Sequence, residues 1–338
     1  MRRAAVGVLA ALAVGLVAPI EPVSAHVRTR DPIEQRYAVG VRVLPLEDTT
    51  RATPADPEGQ TPVLASPTRA LPTTIYYPAR GEPAVQSAVR AGDVAVADAR
   101  AAAGPFPVVL FSHGAPGTPH DYASILERWA REGYVVVAPT YPVTSIAGPT
   151  DVGYADQRDQ VRDARFVLDR VLALNRVSVP DGGLGGLLDP KRIAAAGHSM
   201  GGLTTLALVS DCCRDRRVKA ALVLAGVSQG RDGPPVRHPA GPILLAHGRF
   251  DIAVPFTDSV RAYAGARTPK YLLEIRFPIA GVLGHLLPFF PAAGRLSSSV
   301  ARVLDDFLAG YLRGDRPARP ALVTAARSRK YLRLRSAR

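Results

Sequence analysis

The stretch Gly197-His198-Ser199-Met200-Gly201-Gly202 sets a serine hydroxyl among glycines, with a short apolar run before it (193–196) and a helix-forming run after it (203–208). A buried strand, a sharp turn and a helix would lift Ser199 clear of its neighbours at the carboxyl end of the strand. Such a turn forces the serine into a sparsely populated backbone conformation, and side chains at Gly197 and Gly201 would collide with adjoining backbone. A serine held this way is suited to attack on a carbonyl carbon. That chemistry needs a base to take the hydroxyl proton, an acid to orient the base, and donors for the oxyanion that forms.

The sequence offers each part, in the order serine, acid, histidine. The acid is expected at Asp251, within His247-Gly248-Arg249-Phe250-Asp251-Ile252-Ala253-Val254-Pro255, after an apolar run and before a proline-started helix. An aspartate there also suits a helix N-cap, and Asp258, inside that helix, is the poorer rival. The base is expected at His285, in Ala280-Gly281-Val282-Leu283-Gly284-His285-Leu286, the one histidine of seven that follows the acid. Asp251 should accept a hydrogen bond from its Nδ1–H and stabilise the imidazolium. His198 is expected to point into packing around the turn. One oxyanion donor is expected from the Met200 N–H, at a helix N-terminus where the dipole favours negative charge. The other is expected from Ala115 in Ser112-His113-Gly114-Ala115-Pro116-Gly117, because Pro116 has no N–H. His113 reads as a brace for this loop.

Hydrophobic patterning supplies the frame that must position these groups. Strand-like runs at 37–46 and 71–77 flank a Pro/Thr/Asp-rich connection at 47–66. Residues 79–104 are alanine-rich and weakly periodic, reading as a loop with a short helix. From Phe106 onward, strand-like runs (106–112, 134–139, 193–197, 218–225, 242–247, 271–277) alternate with helix-like segments (119–132, 156–174, 199–209, 255–264). A last helix spans 297–312, and Asp189-Pro190-Lys191-Arg192 reads as a turn. Apolar runs joined by crossover helices predict an α/β fold with a mostly parallel central sheet and helices on both faces. The two early strands would form its antiparallel edge. The connections at 141–154 and 227–240 leave no room for a sizeable cap domain, which predicts an open cleft.

The ends of the chain read differently. Arg2-Arg3, an apolar stretch at 4–20 and Val23-Ser24-Ala25 predict a signal peptide over 1–25. A membrane anchor fits less well, since the stretch is short and Pro19 interrupts it. The mature chain would then work outside the cytoplasm, as one α/β domain over 26–313. Nine basic residues and one acid between Arg313 and Arg338 account for most of the net charge of +13. They predict a basic tail over 314–338, read as a mobile, solvated extension, with contact to an anionic cell envelope as the sharper alternative. Tyr331 is the only aromatic residue there, which argues against a nucleic-acid platform. Cys212 and Cys213 have neither metal-ligand spacing nor a conventional disulfide framework; a bond between the two neighbours and a pair of free thiols are both open.

Phe111-Ser112-His113-Gly114, the glycine-flanked serine, His-Gly-x-x-Asp-x-x-Val-Pro at 247–255 and Gly284-His285 together resemble the α/β-hydrolase superfamily. More narrowly, the chain resembles exported actinobacterial esterases of the platelet-activating-factor acetylhydrolase, dienelactone hydrolase and chlorophyllase-like group. Leu71 to Ala79 and Asp211-Cys212-Cys213 carry the same resemblance, which covers about residues 37–312. Dienelactone hydrolases use a cysteine nucleophile, so Ser199 departs from them. The serine turn is also similar to that of bacterial cutinases and polyester hydrolases. The resemblance implies hydrolysis of a small-molecule or lipid carboxylic ester through an acyl-enzyme on Ser199, with no metal, organic cofactor or nucleic acid. Phospholipid deacylation, polyester cleavage and a non-catalytic envelope-binding protein on the same fold are the alternatives.

Overall fold

Six apolar runs pair side by side in parallel, and helices on both faces of the sheet bury them completely. The computed structural model describes residues 37–55, 64–82, 94–145, 156–177, 183–227, 236–278, 282–286, 289, 294–327 and 330–338. The chain divides into Met1–Glu34 and Gln35–Arg338. The first unit, and with it the expected signal peptide, lies outside the described residues. The strands are β1 (Ala38–Asp48), β2 (Arg69–Ala79), β3 (Ala95–Ala97), β4 (Phe106–Ser112), β5 (Val135–Pro139), β6 (Leu188–His198), β7 (Val218–Leu224), β8 (Ile243–Gly248), β9 (Lys270–Ile275) and β10 (Leu332–Ala337). They form one sheet in the order β10-β9-β8-β7-β6-β4-β5-β2-β1-β3. The run from β5 to β9 is parallel throughout. β2 pairs antiparallel with both β1 and β5, giving the expected edge.

The helices are α1 (Ala123–Arg131), α2 (Gln157–Leu174), α3 (Met200–Val209), α4 (Phe256–Gly265), α5 (Val282–Leu286), α6 (Arg295–Leu308) and α7 (Ala318–Arg327). Alternation along each strand divides the core in two. Val108 and Leu110 join the layer under α2, α3 and α4, while Val109 and Phe111 join the layer under α1, α6 and α7. Each fully buried side chain of this kind contributes about 1.5–3 kcal/mol. An ionic knot fixes α2 to the antiparallel edge. Arg69, fully buried at the start of β2, bonds Asp163 and Asp156 at 2.7 Å, and Arg51 reaches Asp163 at 2.7 Å. Removing one partner of such a group leaves an uncompensated buried charge, which costs about 3–5 kcal/mol.

Four expectations need correction. Residues 314–338 are not a solvated extension: α7 buries Leu322 and Ala326 in the core, and β10 pairs antiparallel with β9. Its Tyr331 packs edge-on against Phe277. Charge along the segment masked a short apolar stripe that the open edge of β9 recruits. Within 79–104, the described residues hold a strand, β3, parallel to β1, and no helix. The Asp189 turn is real but lies inside β6: Lys191 N–H and Arg192 Nε both donate to its carboxylate, and the pairing with β4 shifts register there. The last long helix starts at Arg295 and widens into a π-helical turn over Ala309–Arg313. Cys212 and Cys213 are joined to each other. Residues 146–155 and 228–235, within the two connections read as too short for a cap, lie outside the described residues.

Because Leu322 is fully buried, Leu322→Ala should lower unfolding free energy by about 2–5 kcal/mol in urea denaturation. A change below about 0.5 kcal/mol would mean the C-terminal segment is solvated after all.

Candidate active site

Ser199 stands between β6 and α3 with φ 55° and ψ −119°, a conformation that costs a non-glycine residue about 1–3 kcal/mol. Its backbone is held from three sides: the Ser199 N–H donates to Leu224 O, while Gly202 and Val227 N–H groups donate to Ser199 O. The flanking glycines are required by contact. A Cβ on Gly197 would lie 2.2 Å from the Gly201 carbonyl oxygen, and one on Gly201 would lie 2.0 Å from that of Ser112. A Cβ on Gly202 would lie 2.5 Å from Gly226 Cα. The turn is therefore wedged between β4 and β7, with Ser199 half-buried at the carboxyl edge of the sheet.

Asp251 follows β8, and His285 sits in α5. His285 Nδ1 donates to Asp251 Oδ2 at 2.6 Å. The other oxygen, Oδ1, accepts from the N–H groups of Ala253 and Val254, both at 2.9 Å. A further donor was not anticipated from sequence. His247 Nε2 lies 3.1 Å from Asp251 Oδ2 and 3.0 Å from Val254 O, so it carries the hydrogen, and its Nδ1 meets Ser259 Oγ at 2.7 Å. The i,i+4 spacing of His247 and Asp251 in the motif was the available signal. Burial alone would raise the Asp251 pKa, but the His247 and His285 hydrogen bonds outweigh it and hold the carboxyl well below the usual range. The rival Asp258 pairs with Arg261 at 2.8 Å. Among the described residues, Ser199 Oγ makes no hydrogen bond, to His285 or any other group.

The loop after β4 lies directly beside the serine. A Cβ on Gly114 would stand 3.0 Å from Ser199 Cβ. His113 is fully buried and accepts the Tyr141 N–H at Nε2, so its Nδ1–H donates to Gly114 O at 2.8 Å. This is the bracing expected of it. Ala115, half-buried, follows. Met200 is the first residue of α3, so its N–H has no carbonyl a turn behind it to bond. Buried Gln160 of α2 supports both elements: its Nε2 donates to Thr144 Oγ1 at 2.6 Å and touches Met200 Sδ, and its Oε1 accepts from Thr204. Thr144 in turn takes the Gly117 N–H at its carbonyl. His198 is buried as expected, but it is hydrogen-bonded at both nitrogens, to Tyr122 and to the His285 carbonyl. Gly281 lies outside the described residues. Among the described residues no three His, Cys, Asp or Glu side chains converge as a metal centre would.

The chlorophyllase family model matches residues 86–239, a span that takes in the loop after β4 and the serine turn but stops before Asp251 and His285. No curated protein matches the sequence. Solved structures match in 1054 chains. One, a ferulic acid esterase from Streptomyces cinnamoneus, is 23% identical with a TM-score of 0.57, covering 84% of this chain and 93% of that one. The likeness is one of fold: an α/β architecture with a mostly parallel central sheet and helices on its faces.

Burial lowers the pKa of His198 to about 3 and that of His113 to about 4. Both stay neutral in the folded protein at pH values where the unfolded chain takes up a proton, so their contribution to stability falls as pH drops below about 6.5. Asp251, depressed, contributes above about pH 4 and loses that contribution as pH falls further. Asp156 works the other way between about pH 4 and 6: burial and the neighbouring Asp163 raise its pKa to about 6 despite Arg69. Between pH 6 and 5, His113→Gln should lose about 1 kcal/mol less stability than the wild type. An equal loss of unfolding free energy in the two proteins between these pH values, measured by urea denaturation, would refute the buried neutral imidazole.

Proposed function

We propose that this chain is a serine hydrolase of carboxylic esters. The observation that carries the reading is the buried 2.6 Å bond from His285 Nδ1, in α5, to Asp251, after β8, together with a serine of strained backbone at the sheet's carboxyl edge. In this mechanism Ser199 Oγ attacks the ester carbonyl carbon as His285 Nε2 takes its proton. Asp251, kept ionised by its donors, stabilises the imidazolium. The N–H groups of Met200 and Ala115 hold the oxyanion, each such donor being worth about 3–4 kcal/mol. Collapse of the tetrahedral intermediate expels the alcohol, protonated by His285. Water activated by the same histidine then releases the acid and restores Ser199. The similarity to the chlorophyllase model supports ester chemistry, and the α/β-hydrolase fold supports the roles given to the loops. Residues 1–25 serve in this reading as a signal peptide, placing the enzyme outside the cytoplasm.

One observation favours an ester presented at a lipid or polymer surface. The loop carrying Asp251 exposes Phe250 by 46% and Ile252 by 71%, with Arg249 beside them. Basic Arg333 and Arg335 lie exposed on β10, fixed to the fold rather than on a free tail. Contact with an anionic envelope would therefore use a rigid edge.

Ser199→Ala should reduce turnover of p-nitrophenyl esters by more than about 10^4-fold with the fold retained, and should abolish labelling by a fluorophosphonate. Turnover at the wild-type rate would sink the serine mechanism. With acetyl to palmitoyl esters, Phe250→Ser/Ile252→Ser should lose activity selectively on long chains; a uniform change would remove the surface reading. Arg333→Glu/Arg335→Glu should weaken sedimentation with anionic vesicles more than tenfold, about 1 kcal/mol per charge at the surface. Deleting 314–338 is not an equivalent test, because it strips α7 and β10 from the core.

A further inference from the structure

Separate segments of the candidate site, the loop after β4, the end of β6 and α5, are joined by one line of hydrogen bonds. The Gly114 N–H donates to Tyr122 Oη at 3.1 Å, Tyr122 Oη lies 2.8 Å from His198 Nδ1, and His198 Nε2 lies 3.2 Å from the His285 carbonyl oxygen. The two ends fix the direction of every bond. A carbonyl only accepts, so His198 Nε2 carries the hydrogen. Nδ1 of the neutral ring is then an acceptor and takes the Tyr122 hydroxyl proton, which leaves the tyrosine oxygen to accept from Gly114. Both side chains are shut away from water, His198 at 1% exposure and Tyr122 at 5%.

The line passes immediately beneath the serine. A Cβ on Gly114 would meet Ser199 Cβ at 3.0 Å, Tyr122 Oη at 3.0 Å and His198 Nδ1 at 3.1 Å. The His198 ring lies against that of His285 with centroids 4.5 Å apart, and Phe289 closes its other side edge-on. The peptides around Gly114 are thus pinned at both polar groups, its C=O by His113 and its N–H by Tyr122.

Resting on the esterase reading above, we propose that Tyr122 and His198 are positioning residues. They tie the oxyanion loop and the base loop to the serine turn, and by engaging the Gly114 N–H they leave the Ala115 N–H as the amide presented to the oxyanion. Neither residue has a hydrogen bond to Ser199 Oγ or to the ring nitrogens of His285. Their effect is on where the donor and the base stand, and a displacement of about 1 Å costs on the order of 100-fold in rate. Loss of the line therefore lowers kcat, because the donor matters in the transition state, and leaves KM nearly unchanged.

The test is a double-mutant cycle of Tyr122→Phe and His198→Gln on a p-nitrophenyl ester, with Tyr271→Phe as control. Tyr271 loses a hydroxyl bonded to Tyr311 at 2.6 Å, outside the site, so it reports what removal of such a hydroxyl does by itself. Tyr122→Phe and His198→Gln should each lower kcat tenfold or more with KM within about twofold, and the double variant should be no slower than the slower single. Tyr271→Phe should keep wild-type kcat. Wild-type kcat in Tyr122→Phe, an equal loss in Tyr271→Phe, or losses that multiply in the double variant would overturn the proposal. If His198→Gln does not fold, Tyr122→Phe against its control decides. Wild-type and Ser199→Ala assays run in parallel separate the two levels. An inactive wild type removes the esterase reading and this inference with it, whereas an active wild type with an unaffected Tyr122→Phe removes the inference alone.

Discussion

Everything at the candidate site depends on backbone meeting backbone at the serine turn. Ser199 keeps a φ of 55° only because the surrounding chain leaves it no alternative. Gly201 is pressed against the Ser112 carbonyl and Gly202 against Gly226, so the turn is gripped between the ends of β4 and β7. The same grip brings the β4 loop, with Gly114 and Ala115, to the side of the hydroxyl. A methyl group at Gly201 would break into the Ser112 backbone, moving the β4 loop and the serine together. Strain and site assembly are one constraint here.

Around that turn the polar side chains divide by charge state. Asp251 collects donors from two histidines and two backbone amides, which keep it ionised in spite of burial. His113 and His198 are pushed the other way, because burial penalises the imidazolium more than nearby groups support it. Neutral histidines can donate at one nitrogen and accept at the other, which is what a bridge between two loops needs. Charge is thus concentrated on one carboxylate while the structural bridges stay neutral, limiting the cost of burying so many polar groups in one place.

The edges of the sheet matter to the site at a distance. The Arg69 knot holds α2 against the antiparallel edge, and α2 carries Gln160, which supports Met200 and Thr204. At the opposite edge β10 covers β9, the strand that follows the acid loop and α4. An open β9 edge would offer unpaired N–H and C=O groups to other chains; β10 closes it and presents arginines outward.

Much of the parallel sheet was legible in the sequence because apolar runs and crossover helices differ in period, and β4 was expected at the residues it occupies. Asp251 and His285 could be paired from chain order, and the structure brings their side chains together. The C-terminal segment misled because its charge is easily counted, whereas its few apolar residues acquire meaning only once β9 offers an edge. Tyr122, His247 and the bridging role of His198 were out of reach for a related reason. By themselves a tyrosine before a helix and a histidine beside a serine have no partners. Sequence alone determined which residue types recur on which period, and hence the sheet, the strained turn and the order of the serine, aspartate and histidine. Only the tertiary structure decided which polar atoms meet, because hydrogen bonds between residues 76 and 87 positions apart are set by how strands and loops stack and leave no local trace in the chain.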